Sequence, residues 1–238
     1  TGDVRFAALG LLVVDEQHRF GVEQRDALVR RAEHDGLAPH VLHMTATPIP
    51  RTLALTVFGD LDVTTIAGVP SGRQPVVTRL VDEEMRETGY EFVRKQIAKG
   101  RQVYVVCPAI DESESIQAAT AVAEAERLQA GPFREARVAV VHGQLKPADR
   151  DEVMRAFKSG ELDVLVATSL IEVGIDVPNA TVMIVEGAER FGLAQLHQLR
   201  GRVGRGSEKS YCLLFADAET GAARARLDGA VEERDDKR

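Results

Sequence analysis

Val138-Ala139-Val140-Val141, then Pro147-Ala148-Asp149-Arg150-Asp151-Glu152-Val153-Met154-Arg155-Ala156-Phe157-Lys158, then Asp163-Val164-Leu165-Val166-Ala167, follow one another in a single stretch. The outer two are short apolar runs rich in β-branched residues. The middle one spaces Val153, Met154 and Phe157 three and four apart, which puts them on one face of a helix. Pro147 suits its first turn and Gly160 follows its last. The alternation continues in both directions. Apolar runs predict strands at Leu11–Val14, His40–Met44, Val76–Val81, Gln102–Cys107, Thr181–Val185 and Ser210–Phe215. Segments of helical period predict helices at Val22–His34, Glu83–Lys99, Glu114–Ala130, Leu193–Arg202 and from Ala218 into the acidic end. Most of the strands read as buried. This is the pattern of an α/β fold, a parallel sheet with helices on both faces.

Gly and Pro concentrate in Ala67-Gly68-Val69-Pro70-Ser71-Gly72-Arg73-Gln74-Pro75, where no periodic pattern runs, so a boundary is expected there. Residues 1–72 hold only two long strand-helix units, thin for a doubly wound domain and suited to its second half. Residues 73–217 hold enough for a complete domain, and 218–238 read as a helical or frayed tail.

The 238 residues are 44% hydrophobic and 28% charged, which excludes disordered and low-complexity classes. No apolar run approaches the ~20 residues of a membrane-spanning helix, so no membrane partner is expected. A net charge of -7 excludes a general polycation, so any contact with nucleic acid must come from a local patch. Cys107 and Cys212 lie in apolar stretches without zinc or disulfide spacing, which points to a reducing, cytoplasmic setting. The opening Thr1-Gly2-Asp3 has neither a leader pattern nor an initiating methionine, and reads as the start of a piece of a longer protein.

Four constellations can carry chemistry. Leu11-Leu12-Val13-Val14 ends in Asp15-Glu16-Gln17-His18, a carboxylate pair at the carboxyl edge of a parallel sheet, where such folds bind ligands. In a nucleotide hydrolase the first acid holds Mg2+ and the second orients water, whereas the plain alternative is a solvated loop. Met44-Thr45-Ala46-Thr47-Pro48 is a strand exit that can also present hydroxyls at that edge. In Ala167 to Val177, Thr168 and Ser169 leave a strand, Gly174 permits tight backbone, and Asp176 is either a ribose or cation acceptor or a surface acid. The most specific is Gln195 to Gly206. Its Arg200, Arg202 and Arg205, interleaved with Gly201 and Gly204, are too costly to bury unpaired and suit a phosphate, although a solvated basic turn is the bland account.

In this order and separation, Asp15–His18, Thr45–Pro48, Thr168–Asp176 and Gln198–Arg205 resemble motifs of the superfamily 2 helicases. The strings from Asp15 to Arg25 and from Thr45 to Ala54 are similar to the RecG family of bacterial branch-migrating DNA helicases, with the Mfd family close by; the likeness covers Leu11 to Phe215. The resemblance implies a P-loop NTPase helicase core of RecA-like lobes, one partial and one complete, driven by ATP and Mg2+. Asp15 would hold the metal and Glu16 would act as base. Gln17 and His18 would sense the γ-phosphate. Thr45 and Thr47 would couple nucleotide state to DNA. Gln198, Arg202 and Arg205 would reach the phosphates, with Gly174 and Asp176 near the nucleotide. Thr168 and the His142-Gly143 turn would meet the DNA backbone.

The chain departs from the pattern in one respect. It contains no Gly-x-x-x-x-Gly-Lys-[ST] phosphate loop; Gly204-Arg205-Gly206-Ser207-Glu208-Lys209-Ser210 lacks glycine before its lysine and leads into a strand. The loop is expected before Asp15 in a parent protein that remodels stalled forks and junctions in DNA repair and recombination. Its amino-terminal part is then a partner of this chain alongside branched or duplex DNA, and the chain alone is expected to lack ATPase activity. Two alternatives stand beside this: a translocase of the Mfd type, and a non-catalytic module that binds nucleic acid or a partner through the arginines.

Overall fold

The computed structural model describes residues 9–15, 27, 39–45, 62–64, 66, 74–108, 113–168 and 177–217. The chain divides into two units, Thr1–Thr65 and Ile66–Arg238, each taken here by itself. In the first, β1 (Leu11–Val14) and β2 (His40–His43) pair in parallel, with Leu11 opposite His40 and Val14 opposite His43. One face of the pair exposes Leu11, Val13 and Leu42. That is wetter than the buried strands expected there.

In the second unit the elements follow as β3 (Val77–Val81), α1 (Arg86–Ile97), β4 (Gln102–Cys107), α2 (Glu114–Ala130), β5 (Val138–Val141), α3 (Pro147–Lys158), β6 (Val164–Thr168), β7 (Ala180–Val185), α4 (Leu193–Arg200) and β8 (Tyr211–Phe215). The strands form one parallel sheet in the order β3-β8-β7-β4-β6-β5. Every residue of β4, β6 and β7 is buried, as near-continuous apolar runs in a parallel sheet require. Alternate residues feed two cores. Val103, Val105, Val164 and Val166 pack with Tyr90 and Val93 of α1 and Leu128 of α2. Tyr104, Val106, Leu165 and Ala167 pack with Phe157 of α3 and Leu196 and Leu199 of α4. Two helices thus cover each face, the arrangement expected of a RecA-like lobe.

Several boundaries differ from the sequence expectation for local reasons. α1 begins at Arg86 rather than Glu83, because Asp82 accepts from the Met85 amide and spends residues 83–85 in a turn. α4 stops at Arg200 rather than Arg202, where Gly201 caps it and the chain turns through Gly204 at φ +76°. The helices expected at Val22–His34 and after Ala218 lie outside the described residues, save Ala27, which is helical.

Candidate functional site

The carboxyl edge of the larger sheet carries a row of polar groups that follows from strand register. Val81 pairs with Phe215, and Cys107 with Thr168. One step past the pairs Val106–Val185 and Val141–Ala167 come Glu186 beside Cys107 and His142 beside Thr168. Side chains two apart on a strand share a face, so Glu186, Cys107, Thr168 and His142 form one rank on the face that α1 and α2 cover. Thr168 is 1% exposed, and among the described residues neither its Oγ1 nor the buried Nδ1 of His142 has a hydrogen-bond partner. Such atoms are rare in folded proteins and ask for a ligand or a water. The N-termini of α2 and α3 lie at the same edge, because each helix follows a strand that ends there. Their dipoles favour an anion.

The other half of the rank is saturated. Glu186 accepts from Arg86 Nη1 at 2.8 Å and from the Tyr90 hydroxyl at 3.1 Å. Tyr90 in turn accepts from Arg86 at 3.1 Å and from Arg127 at 2.6 Å, and Arg127 also pairs with Glu124 at 2.7 Å. Burial pushes the Glu186 carboxyl up, while Arg86 pulls it back. The Arg127 guanidinium holds its proton more tightly than usual, chiefly through Glu124. Burial also pushes the Cys107 thiol up to about 12, so it stays protonated. These groups brace α1 and α2 against the end of β7. Sequence reasoning missed them, although Glu186 gives the signal that singled out Asp15, an acid closing a buried strand.

The arginine turn lies at the opposite, amino edge. Leu196, Leu199 and Val203 anchor it in the core, leaving Gln198 and Arg202 half-buried and Arg205 exposed. The turn is tied to the start of β3 by the Val77 amide, which donates to the Ser210 carbonyl at 2.8 Å. A Cβ on Gly204 would stand 2.8 Å from Val76 Cγ2, and one on Gly206 would stand 3.0 Å from the Pro178 carbonyl oxygen. Both glycines are therefore points of close approach.

Of the residues singled out in the first unit, Asp15 is exposed just past β1, and Thr45 lies two positions past the end of β2. The Met44 amide donates to the Val14 carbonyl at 2.8 Å, so β1 and β2 bring the two residues to one carboxyl edge. Magnesium sites often use one or two carboxylates together with substrate phosphates, and an exposed carboxylate at a strand end fits that donor set. Glu16, Gln17, His18, Thr47, Gly174 and Asp176 lie outside the described residues. Among the described residues no three His, Cys, Asp or Glu side chains cluster as metal ligands, and no helix is long and apolar enough to cross a membrane.

Comparison with known proteins gives this geometry a family. The chain is 52% identical over 233 residues to an ATP-dependent DNA helicase RecG from Synechocystis sp., covering 98% of this chain and 27% of that protein. A solved structure of RecG bound to a three-way DNA junction matches with a TM-score of 0.76 at 43% identity, over 98% of this chain and 29% of the other. Saccharomyces cerevisiae Dbp5 L327V bound to RNA and ADP BeF3 shares the fold, with a TM-score of 0.65 at 16% identity over 94% of this chain and 57% of the other. The chain thus spans under a third of the length of the RecG proteins named here. The model of the helicase conserved C-terminal domain matches residues 85–207, more than half the chain, from the start of α1 into the arginine turn. By that match the chain belongs to the helicase conserved C-terminal domain family.

Proposed function

We propose that this chain is part of the motor of a RecG-like, ATP-dependent DNA helicase that remodels branched DNA. Residues 1–72 would belong to the first RecA-like lobe and residues 73–217 would form the second. The observation that carries the reading is the placement of two anion-seeking sets at opposite edges of one sheet. Thr168 and His142, with two helix N-termini, stand at the carboxyl edge; Gln198, Arg202 and Arg205 stand at the amino edge. A strand of five residues separates them by about 17 Å. A rigid sheet gripping DNA phosphates at one edge and nucleotide phosphates at the other turns a change at one into a displacement at the other.

In the first lobe Asp15 would hold Mg2+, which neutralises phosphate charge, and Glu16 would orient the attacking water. Gln17 and His18 would report the γ-phosphate, and Thr45 and Thr47 would relay it to DNA. Gly174 and Asp176 would line the nucleotide from the second lobe. The RecG structure on a three-way junction supports branched DNA as the partner.

The sequence contains no phosphate loop, so the purified chain should not turn over ATP. In a longer protein that supplies the loop, DNA-stimulated hydrolysis should appear. Arg205→Ala should then lower kcat on the order of 10³-fold. Mg2+-dependent turnover by the chain alone, lost in Glu16→Gln, would refute the assignment of the missing cradle. Normal turnover in Arg205→Ala of the longer protein would remove the arginine turn from the site.

A further inference from the structure

The arginine turn has a second support that no sequence motif includes. Arg101, in the connection between α1 and β4, places Nη2 2.9 Å from Oε2 of Glu208 at the end of the turn. Its Nη1 donates to Asn179 Oδ1 at 3.3 Å. Asn179 Nδ2 donates to the Gly100 carbonyl at 2.8 Å and to Gln102 Oε1 at 3.2 Å. Gln102 itself donates from Nε2 to the carbonyls of Phe157 and Leu162. One guanidinium therefore joins the arginine turn to Asn179, just before β7, where Gly206 also abuts Pro178. The Gln102 amide donates to the Asn179 carbonyl at 3.1 Å, which fixes Asn179 from its backbone side as well. The Arg101 fork spans both segments, and a lysine could hold only one of them well.

Building on the reading of Arg202 and Arg205 as nucleotide-facing, we propose that Arg101 is a positioning residue for the motor's nucleotide site. It locks the arginine turn to the entry of β7, so that Arg202 and Arg205 keep their reach while the lobes move. Arg101 touches neither substrate nor reacting atoms in this role; it acts through Glu208 and Asn179. A loosened turn would impair a step in which the guanidinium must meet developing charge more than it would impair ground-state binding, so kcat should suffer ahead of KM.

Two measurements test this. In the chain itself, Arg101→Ala should speed amide hydrogen exchange at residues 203–210 and at Asn179 by about three- to tenfold, leaving Val103–Val106 unchanged. In the longer protein with its phosphate loop, Arg101→Ala should lower kcat for DNA-stimulated ATP hydrolysis about three- to tenfold, with KM for ATP within about twofold. Glu208→Gln should move kcat the same way, and Arg101→Lys should recover part of it. Unchanged exchange at the turn overturns the proposal, as does a loss of protection spread over the whole sheet. A normal kcat in Arg101→Ala beside a crippled Arg205→Ala overturns the proposal alone. A normal kcat in Arg205→Ala fails the nucleotide-facing reading, and the catalytic role of Arg101 falls with it.

Discussion

Gly204 shows how much of the candidate site depends on single residues. At φ +76° it occupies backbone that side chains disfavour, and a Cβ there would meet Val76 Cγ2 at 2.8 Å. Gly204→Ala should therefore lose about 1–3 kcal/mol in chemical denaturation, and displace the turn that carries Arg205. An unchanged denaturation midpoint would mean that Val76 yields freely. The two cysteines make a complementary case. Cys107 and Cys212 are 2% and 0% exposed, and burial pushes both thiols up to about 12. Thiolates are the reactive form, so at pH 8 neither should react with a thiol reagent in the folded chain, and both should react in denaturant. Rapid labelling of Cys107 in the native protein would show that the carboxyl-edge rank opens to solvent. The sequence shows both cysteines in apolar stretches without zinc or disulfide spacing. It does not show that register sets Cys107 between Glu186 and Thr168.

Between elements, one ion pair fastens the amino end of β5 to that of β6. Arg137 donates from its backbone amide, Nε and Nη2 to Asp163, at 2.8, 2.9 and 2.6 Å. The Arg137 side-chain bond is the largest influence holding the Asp163 carboxyl below its usual range. A depressed folded value means that this stability is present above the unfolded carboxylate range, near pH 3.9, and is lost as pH falls through the lower folded value. Asp163→Asn should thus lower stability at neutral pH, by an amount that solvent screening of the exposed Arg137 keeps modest, with the gap to the parent chain closing in acid. A gap that stays constant from pH 7 to about pH 2 would sink this account. Asp163 also explains an element boundary. The apolar run predicts a strand from Asp163 to Ala167, but the strand is Val164–Thr168 because Asp163 is committed to Arg137. By contrast β4, α2, β5 and α3 fall at the residues their patterns mark, since each is bounded by a change from apolar to polar or by Gly or Pro. The Tyr90–Glu186 brace was illegible for another reason: its partners lie 96 positions apart, and only the fold brings them together.

At the scale of the molecule, helices on both faces of a parallel sheet were legible, whereas the strand order was not. Period and apolarity say that β7 is buried but not that it returns to lie between β8 and β4. The order matters because it places the braced and the unpaired halves of the polar rank side by side. It also closes both hydrophobic cores within one continuous segment. Among the described residues, every member of the two clusters lies between Val76 and Ala216. Residues 73–217 should therefore fold alone, in a size range where single domains with one sheet and two covered faces are independently stable. The expected result is a single cooperative denaturant transition for that polypeptide, with a free energy within about 1 kcal/mol of the corresponding transition in the full chain. Glu186→Ala in the same polypeptide should lower it by about 1–3 kcal/mol, because the half-buried Arg86 guanidinium then keeps Glu83 but loses its other carboxylate partner. If residues 73–217 instead unfold gradually or bind a hydrophobic dye in buffer, part of the core that stabilises this sheet must come from outside them.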